Sequence, residues 1–226
     1  MKQRTFYTEL AYLMGIITMA FGTALMTLAD FGVSMVVAPA YLLHLKVSQF
    51  LPFFSFGMAE YTLQAVLLLA MMIFLRKAKI GYVFSFVTAF VYGLMLDGFL
   101  MLLSFPGADA MAVRVVYYVA GFFITAFAVS LMFHTYLAPA VYELFVREVT
   151  KEKGLNVTRF KTLYDLASLL IAVVMSFVFF GLWHFEGVKL GTVLVALLNG
   201  KTIGMFTSIL EKNFTFKDRF TCLPRA

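Results

Sequence analysis

Six stretches of this chain are long, apolar and almost free of charge, and they decide what it can fold into. Leu10 to Ala29, Ile80 to Leu96, Val115 to Phe133 and Leu166 to Trp183 contain no charged residue. Leu190 to Leu210 is interrupted only by Lys201, and Phe53 to Leu75 only by Glu60. About 20 helical residues cross a hydrocarbon core of roughly 30 Å. Backbone groups in lipid must be satisfied within their own segment, so these runs are expected as helices. Strands of a membrane barrel would alternate apolar and polar residues, and these runs do not. Charged residues make up only 13% of the 226 residues, too few to coat the surface of a soluble domain. The chain therefore reads as an all-α membrane protein whose first partner is the lipid bilayer.

The helices are placed at about 7–29, 53–75, 79–104, 112–134, 161–184 and 188–210. The first is read as a retained helix, since no small-residue cleavage site follows it. With the N-terminus inside, the cytoplasmic side collects Lys2, Arg4, Arg76, Lys77, Lys79, Arg147, Lys151, Lys153, Arg159, Lys161, Lys212, Lys217, Arg219 and Arg225. The other side receives only Lys46, Arg114 and Lys189. The positive-inside rule then gives a multi-pass membrane protein with both termini cytoplasmic. The same placement disposes of a nucleic-acid partner. The net charge of +6 sits in connections and tails, with no basic-aromatic stripe or known module. One cysteine, Cys222, offers neither a disulfide framework nor a thiol metal cluster. No cofactor or metal is expected.

Two shorter apolar pieces lie between the spans. Residues 31–45 contain Pro39 and are too short to cross without inverting every later loop, so a re-entrant or half-buried helix is expected. Residues 139–152 begin with Pro139, well suited to a helix start. Val141, Leu144, Phe145 and Val149 fall on one face, and Glu143 and Arg147 stand at the i,i+4 spacing of an ion pair. This piece reads as an amphipathic helix at the cytoplasmic surface.

The halves resemble each other at a shift of about 106 residues. Gly15-Ile16-Ile17-Thr18 answers Gly121 to Thr125, and Ala24-Leu25-Met26 answers Ser130-Leu131-Met132. Glu60 answers Asp165, and Gly81 and Gly93 answer Gly187 and Gly200. Three crossings per half place the second half upside down. The expected organisation is a first repeat over 1–110, a second, inverted repeat over 111–212 and a cytoplasmic tail over 213–226. Each repeat has three transmembrane helices and a short re-entrant or interfacial helix, a pattern of secondary transporters.

Gly22-Thr23-Ala24-Leu25 through Ala29-Asp30-Phe31-Gly32-Val33-Ser34 resembles the signature of the YitT/YczE family of bacterial membrane proteins. So do Lys189 to Val193 and Ala196 to Gly200, and the likeness covers about residues 10–210. The proline usual after the first glycine signature appears only at Pro39, and Ala138-Pro139 lacks a preceding glycine. The resemblance implies a permease-like architecture and no particular substrate.

An ionisable group in the hydrocarbon zone costs at least about 2.5–3.5 kcal/mol, so it usually faces a cavity or a partner. Lys201, beside Asn199 and Gly200, and Asp97 lie deep in apolar runs. With Asn199 and Glu60 they are the candidate substrate-binding residues, Asp97 and Lys201 reading equally as a structural ion pair. Asp165, Asp30 and His134 are candidates for coupling or gating. For Asp165 helix capping competes, and for His134 a plain interfacial role. The glycines at 15, 22, 93, 98, 121, 191, 200 and 204 read as close-packing sites between helices. There is no P-loop and no H-E-x-x-H, G-x-S-x-G or paired-cysteine motif, so an enzyme is not expected. The leading reading is a secondary transporter for a small organic solute, with proton coupling through buried carboxylates as its fuller form. The alternative is a non-catalytic membrane subunit or sensor that binds a ligand or partner protein, and a homodimer is open to either.

Overall fold

The computed structural model describes residues 4–104, 110–137, 140–181 and 187–219. Six long helices form the bundle: α1 (Thr8–Ala29), α3 (Phe56–Leu75), α4 (Ile80–Leu103), α5 (Met111–Phe133), α7 (Val157–Phe180) and α8 (Leu190–Asn213). Each is long and apolar enough to cross a membrane, and the protein is an all-α, multi-pass membrane protein. Two short helices, α2 (Ala38–Val47) and α6 (Val141–Lys153), sit between the first and second long helix of each half. Pro139, Trp183, His184 and Cys222 lie outside the described residues.

Helix boundaries follow local chemistry. α3 starts three residues later than expected because the Ser55 side chain caps it, accepting from the Met58 N–H at 3.1 Å. α7 starts four residues earlier because the Asn156 side chain accepts from the Arg159 N–H at 3.1 Å. α1 ends on Asp30, whose left-handed φ of 54° turns the chain back towards the bundle.

The largest helix interface joins α1 to α5, antiparallel. Their backbones cross at Gly22 and Gly121, where an added Cβ at Gly121 would lie 2.7 Å from the Gly22 carbonyl oxygen. α4 packs on α1 and α3, and α8 packs on α5. At the end away from the termini, Asp30 binds Lys189 Nζ at 2.6 Å and Arg114 Nη2 at 3.2 Å. That cluster ties the end of α1 to the starts of α5 and α8.

The tail departs from expectation. Residues Arg4–Tyr7 (β1) and Phe214–Lys217 (β2) pair as a two-stranded parallel sheet. Phe6 meets Phe214 and Phe216 edge to face, over Ala11, Leu131 and Leu210. β1 and β2 therefore lie together at one end of the bundle, as an even number of crossings between them requires.

The short helix α6 corrects the surface reading. Its start reaches the middle of α3, where the Val141 N–H donates to Gln64 Oε1 at 3.0 Å and the Tyr142 hydroxyl donates to Glu60 Oε2 at 3.1 Å. Its end meets the far end of α3 and the start of α4, where Lys77 binds Glu152 at 2.7 Å and Lys79 binds Glu148. α6 thus runs alongside α3 from mid-depth to the terminal end, packed between α3, α4 and α7. Buried Tyr142, Val146, Glu148 and Thr150 join the expected apolar face, so the helix is covered on nearly all sides. α2 is placed similarly against α3 and α7, with Lys46 Nζ donating to the Phe179 carbonyl at 3.2 Å at the opposite end.

Candidate functional site

Three cavities meet between the halves. The first, about 260 Å³, is lined by Met19, Val129, Met132, Phe133, Thr135, Ala140, Glu143, Val146, Arg147 and Lys161. A narrower one of about 80 Å³ lies where the chain enters both short helices: Ser34, Val36 and Val37 before α2, and Tyr142 and Glu143 at the start of α6. Thr23, Thr125 and Asn199 complete its polar lining. The third, about 540 Å³, separates α7 from α8 and is lined by Lys161, Thr162, Asp165, Asn199, Gly200, Gly204 and Thr207 among others. Phe133 and Lys161 line all three.

Met19 is halfway along α1, and Thr135 lies just beyond the end of α5. The space thus extends from the terminal end of the bundle to its middle, where the chain just before α2 and the first turn of α6 line it. Amide groups of a helix's first turn lack intrahelical partners and carry partial positive charge.

Four charged side chains line this space. Lys161 Nζ donates to Asp165 Oδ1 at 3.0 Å, an i,i+4 pair on α7. Glu143 and Arg147 do not form the pair their spacing suggested. Glu143 Oε2 and Arg147 Nη2 are both sealed from solvent and without a hydrogen-bond partner. Burial pushes the Glu143 carboxyl above the usual carboxylate range, with Lys161 opposing the shift. Burial also lowers the Arg147 guanidinium from its ordinary value, with Glu148 opposing. Behind the lining, Glu60 is fully buried on Tyr142 and Gln64, and its Oε1 is unpartnered.

Of the residues marked from sequence, Asn199 and Asp165 line the α7–α8 cavity, and Glu60 stands one side chain behind. The Asp97–Lys201 pair does not form. Asp97 instead secures the start of α3, accepting from Ser55 Oγ at 2.5 Å and from the Gly57 N–H at 2.8 Å. Lys201 lies on the exposed face of α8. Asp30 belongs to the ion cluster at the far end. His134 caps α5, its Nδ1 2.7 Å from the Ser130 carbonyl oxygen, and stacks on Phe216. Sequence reasoning missed Lys161 by counting it only among the cytoplasmic charges at a helix start, and missed Glu143 and Arg147 by pairing them at a surface. The signal for all three was a charge one or two turns from a helix start that an apolar neighbour must cover.

A family model matches residues 6–208, most of the chain. The chain belongs to DUF6198, a family of unknown function. No curated protein matches, and no solved structure does. Membership in DUF6198 thus supports one shared architecture across this span and carries no activity with it.

Proposed function

We propose that the protein is a permease for a small solute, built from two inverted halves, with both termini in the bacterial cytoplasm. One observation carries this reading: the chain just before one short helix (Ser34, Val36, Val37) and the first turn of the other (Tyr142, Glu143) line the same mid-depth cavity, which adjoins cavities bearing Arg147, Lys161 and Asp165. Broken segments meeting near the midplane at a repeat interface are the common solute site of inverted-repeat transporters. An irregular backbone at that depth is tolerable only where protein or a water-filled cavity covers it. The charge distribution favours the stated orientation, because the terminal end of the bundle carries most of the Lys and Arg residues. The resemblance to YitT/YczE proteins points the same way. Glu60, Asp165 and Glu143 supply buried or cavity-lining carboxylates for proton coupling.

The test is solute flux in proteoliposomes, with a broad panel of metabolites, amines and vitamins, beside a thermal-shift screen in detergent. Lys161→Ala is expected to remain folded and to lose flux, since Lys161 lines every part of the space. A protein that neither moves nor is stabilised by any compound would remove the permease reading.

A second reading, a membrane subunit that docks a partner, is favoured by Lys201. A lysine halfway along an exposed transmembrane face is costly unless a carboxylate meets it. Gly200 and Gly204 beside it have open space where a Cβ would stand, room for a partner helix. Loss of co-purified protein, or of self-association, in Lys201→Ala would support it; unchanged flux in the same variant would separate docking from transport.

A further inference from the structure

We infer that the solute is a small zwitterion, its ammonium group meeting Glu143 and its carboxylate meeting Arg147. The inference deepens the permease reading and rests on it. Glu143 and Arg147 stand at i and i+4 on α6, where a glutamate followed by an arginine ordinarily pairs. Here each holds a sealed atom with no partner, Oε2 on one and Nη2 on the other, and both line the 260 Å³ cavity. An unsatisfied buried polar group is costly, more so when charged, and native structures seldom leave two on the wall of one cavity without cause. A single ligand in that cavity with one acceptor and one donor end satisfies both once the two side chains turn their sealed atoms towards it.

The rest of the wall narrows the choice. Met19, Val129, Met132, Phe133 and Val146 are apolar, so a solute with one charge would leave the opposite protein charge unmet among them. Lys161 reaches Glu143 only through space, because its ammonium hydrogen-bonds Asp165 and makes no direct bond to Glu143. Arg147 lies on the same helix as Glu148, but the Glu148 carboxylate is taken by Lys79 and the Tyr82 hydroxyl. The part of the space that Glu143 and Arg147 both line, about 260 Å³, has room for an amino acid. The upward push of burial on the Glu143 carboxyl is consistent, since an arriving ammonium supplies the counter-charge that burial withholds.

The test uses the full chain in detergent, by thermal shift and by equilibrium binding, with five probes of matched size. Glycine, β-alanine and 4-aminobutanoate carry both charges at increasing separation; propanoate and propylamine carry one each. At least one amino acid is expected to stabilise the wild type, with propanoate and propylamine binding about ten- to a hundredfold more weakly. Glu143→Gln and Arg147→Gln should each weaken that amino acid by a similar factor, and Arg147→Lys should restore part of it. The probe-free melting temperature of each variant shows whether it is folded. If a variant is not, the discrimination among probes by the wild type decides alone. Equal binding of propanoate or of propylamine would overturn the zwitterion and leave the permease standing. So would flux of an unrelated solute with no response to any amino acid. No flux and no binding of any compound would remove both readings.

Discussion

At the scale of single residues, Asp97 and Lys201 show how differently two buried-looking charges can be used. Both lie deep in apolar runs, and sequence alone pairs them. Asp97 takes two hydrogen bonds from the start of α3, so it acts as a cap donated by a neighbouring helix. Asp97→Ala is expected to cost about 1.5–3 kcal/mol, the range for a hydrogen bond to a charged group. Lys201→Ala removes no ion pair found among the described residues and relieves a charge on an apolar face, so it should not lower stability. Unfolding in detergent, followed by tryptophan fluorescence or circular dichroism, would compare them; equal losses in both variants would sink this assignment. That each charge needs a partner was legible in the sequence, because ions in lipid are expensive. Which partner was not legible, because Ser55 and Gly57 reach Asp97 only once α3 and α4 have packed.

At the scale of elements, the six spans were readable to within about four residues at their ends, since length and apolarity suffice to define them. α4 was expected over 79–104 and runs Ile80–Leu103; α5 was expected over 112–134 and runs Met111–Phe133. The depth of α6 was not readable. An amphipathic pattern says that one face is apolar, but a polar face can meet water or meet buried carboxylates, and here Glu148 and Tyr142 are buried. Glu148 holds α6 to α4, accepting from the Tyr82 hydroxyl at 2.6 Å and from Lys79. Burial raises its pKa, but the bonds from Lys79 and Tyr82 and the Lys79 charge outweigh burial, leaving the carboxyl below the usual range. A depressed carboxylate stabilises the fold above its unfolded value of about 4.3 and loses that contribution as pH falls through the lower folded value. Wild type should therefore exceed Glu148→Gln in melting temperature near neutral pH. The gap should narrow as pH is lowered from about 4.3. A gap that stays constant across that window would mean that the Glu148 charge contributes nothing to holding α6.

At the scale of the whole molecule, the two halves repeat the same helix order but do not close equally. α3 and α4 are pressed together: a Cβ added at Gly57 would lie 2.1 Å from the Gly93 carbonyl oxygen. Gly200 answers Gly93 in the sequence, yet nothing lies within 4 Å of its added Cβ, and the 540 Å³ cavity holds α7 and α8 apart. Under the permease reading this inequality is the state of the transporter: the second half is open, and the transition exchanges the two arrangements. The small residues at 200 and 204 then serve a closed packing that this state does not display. The pair Thr162→Cys and Gly200→Cys, placed across that cavity in a Cys222→Ser background, tests the exchange. A disulfide should form slowly under mild oxidation, faster with a transported solute present, and should stop flux until reduced. Efficient crosslinking with flux unaffected would mean that α7 and α8 move without gating the path. No crosslinking with or without solute would mean that the gap is a permanent feature of the fold. Flux, if present, would then have to pass through a fixed opening rather than by exchange between the halves.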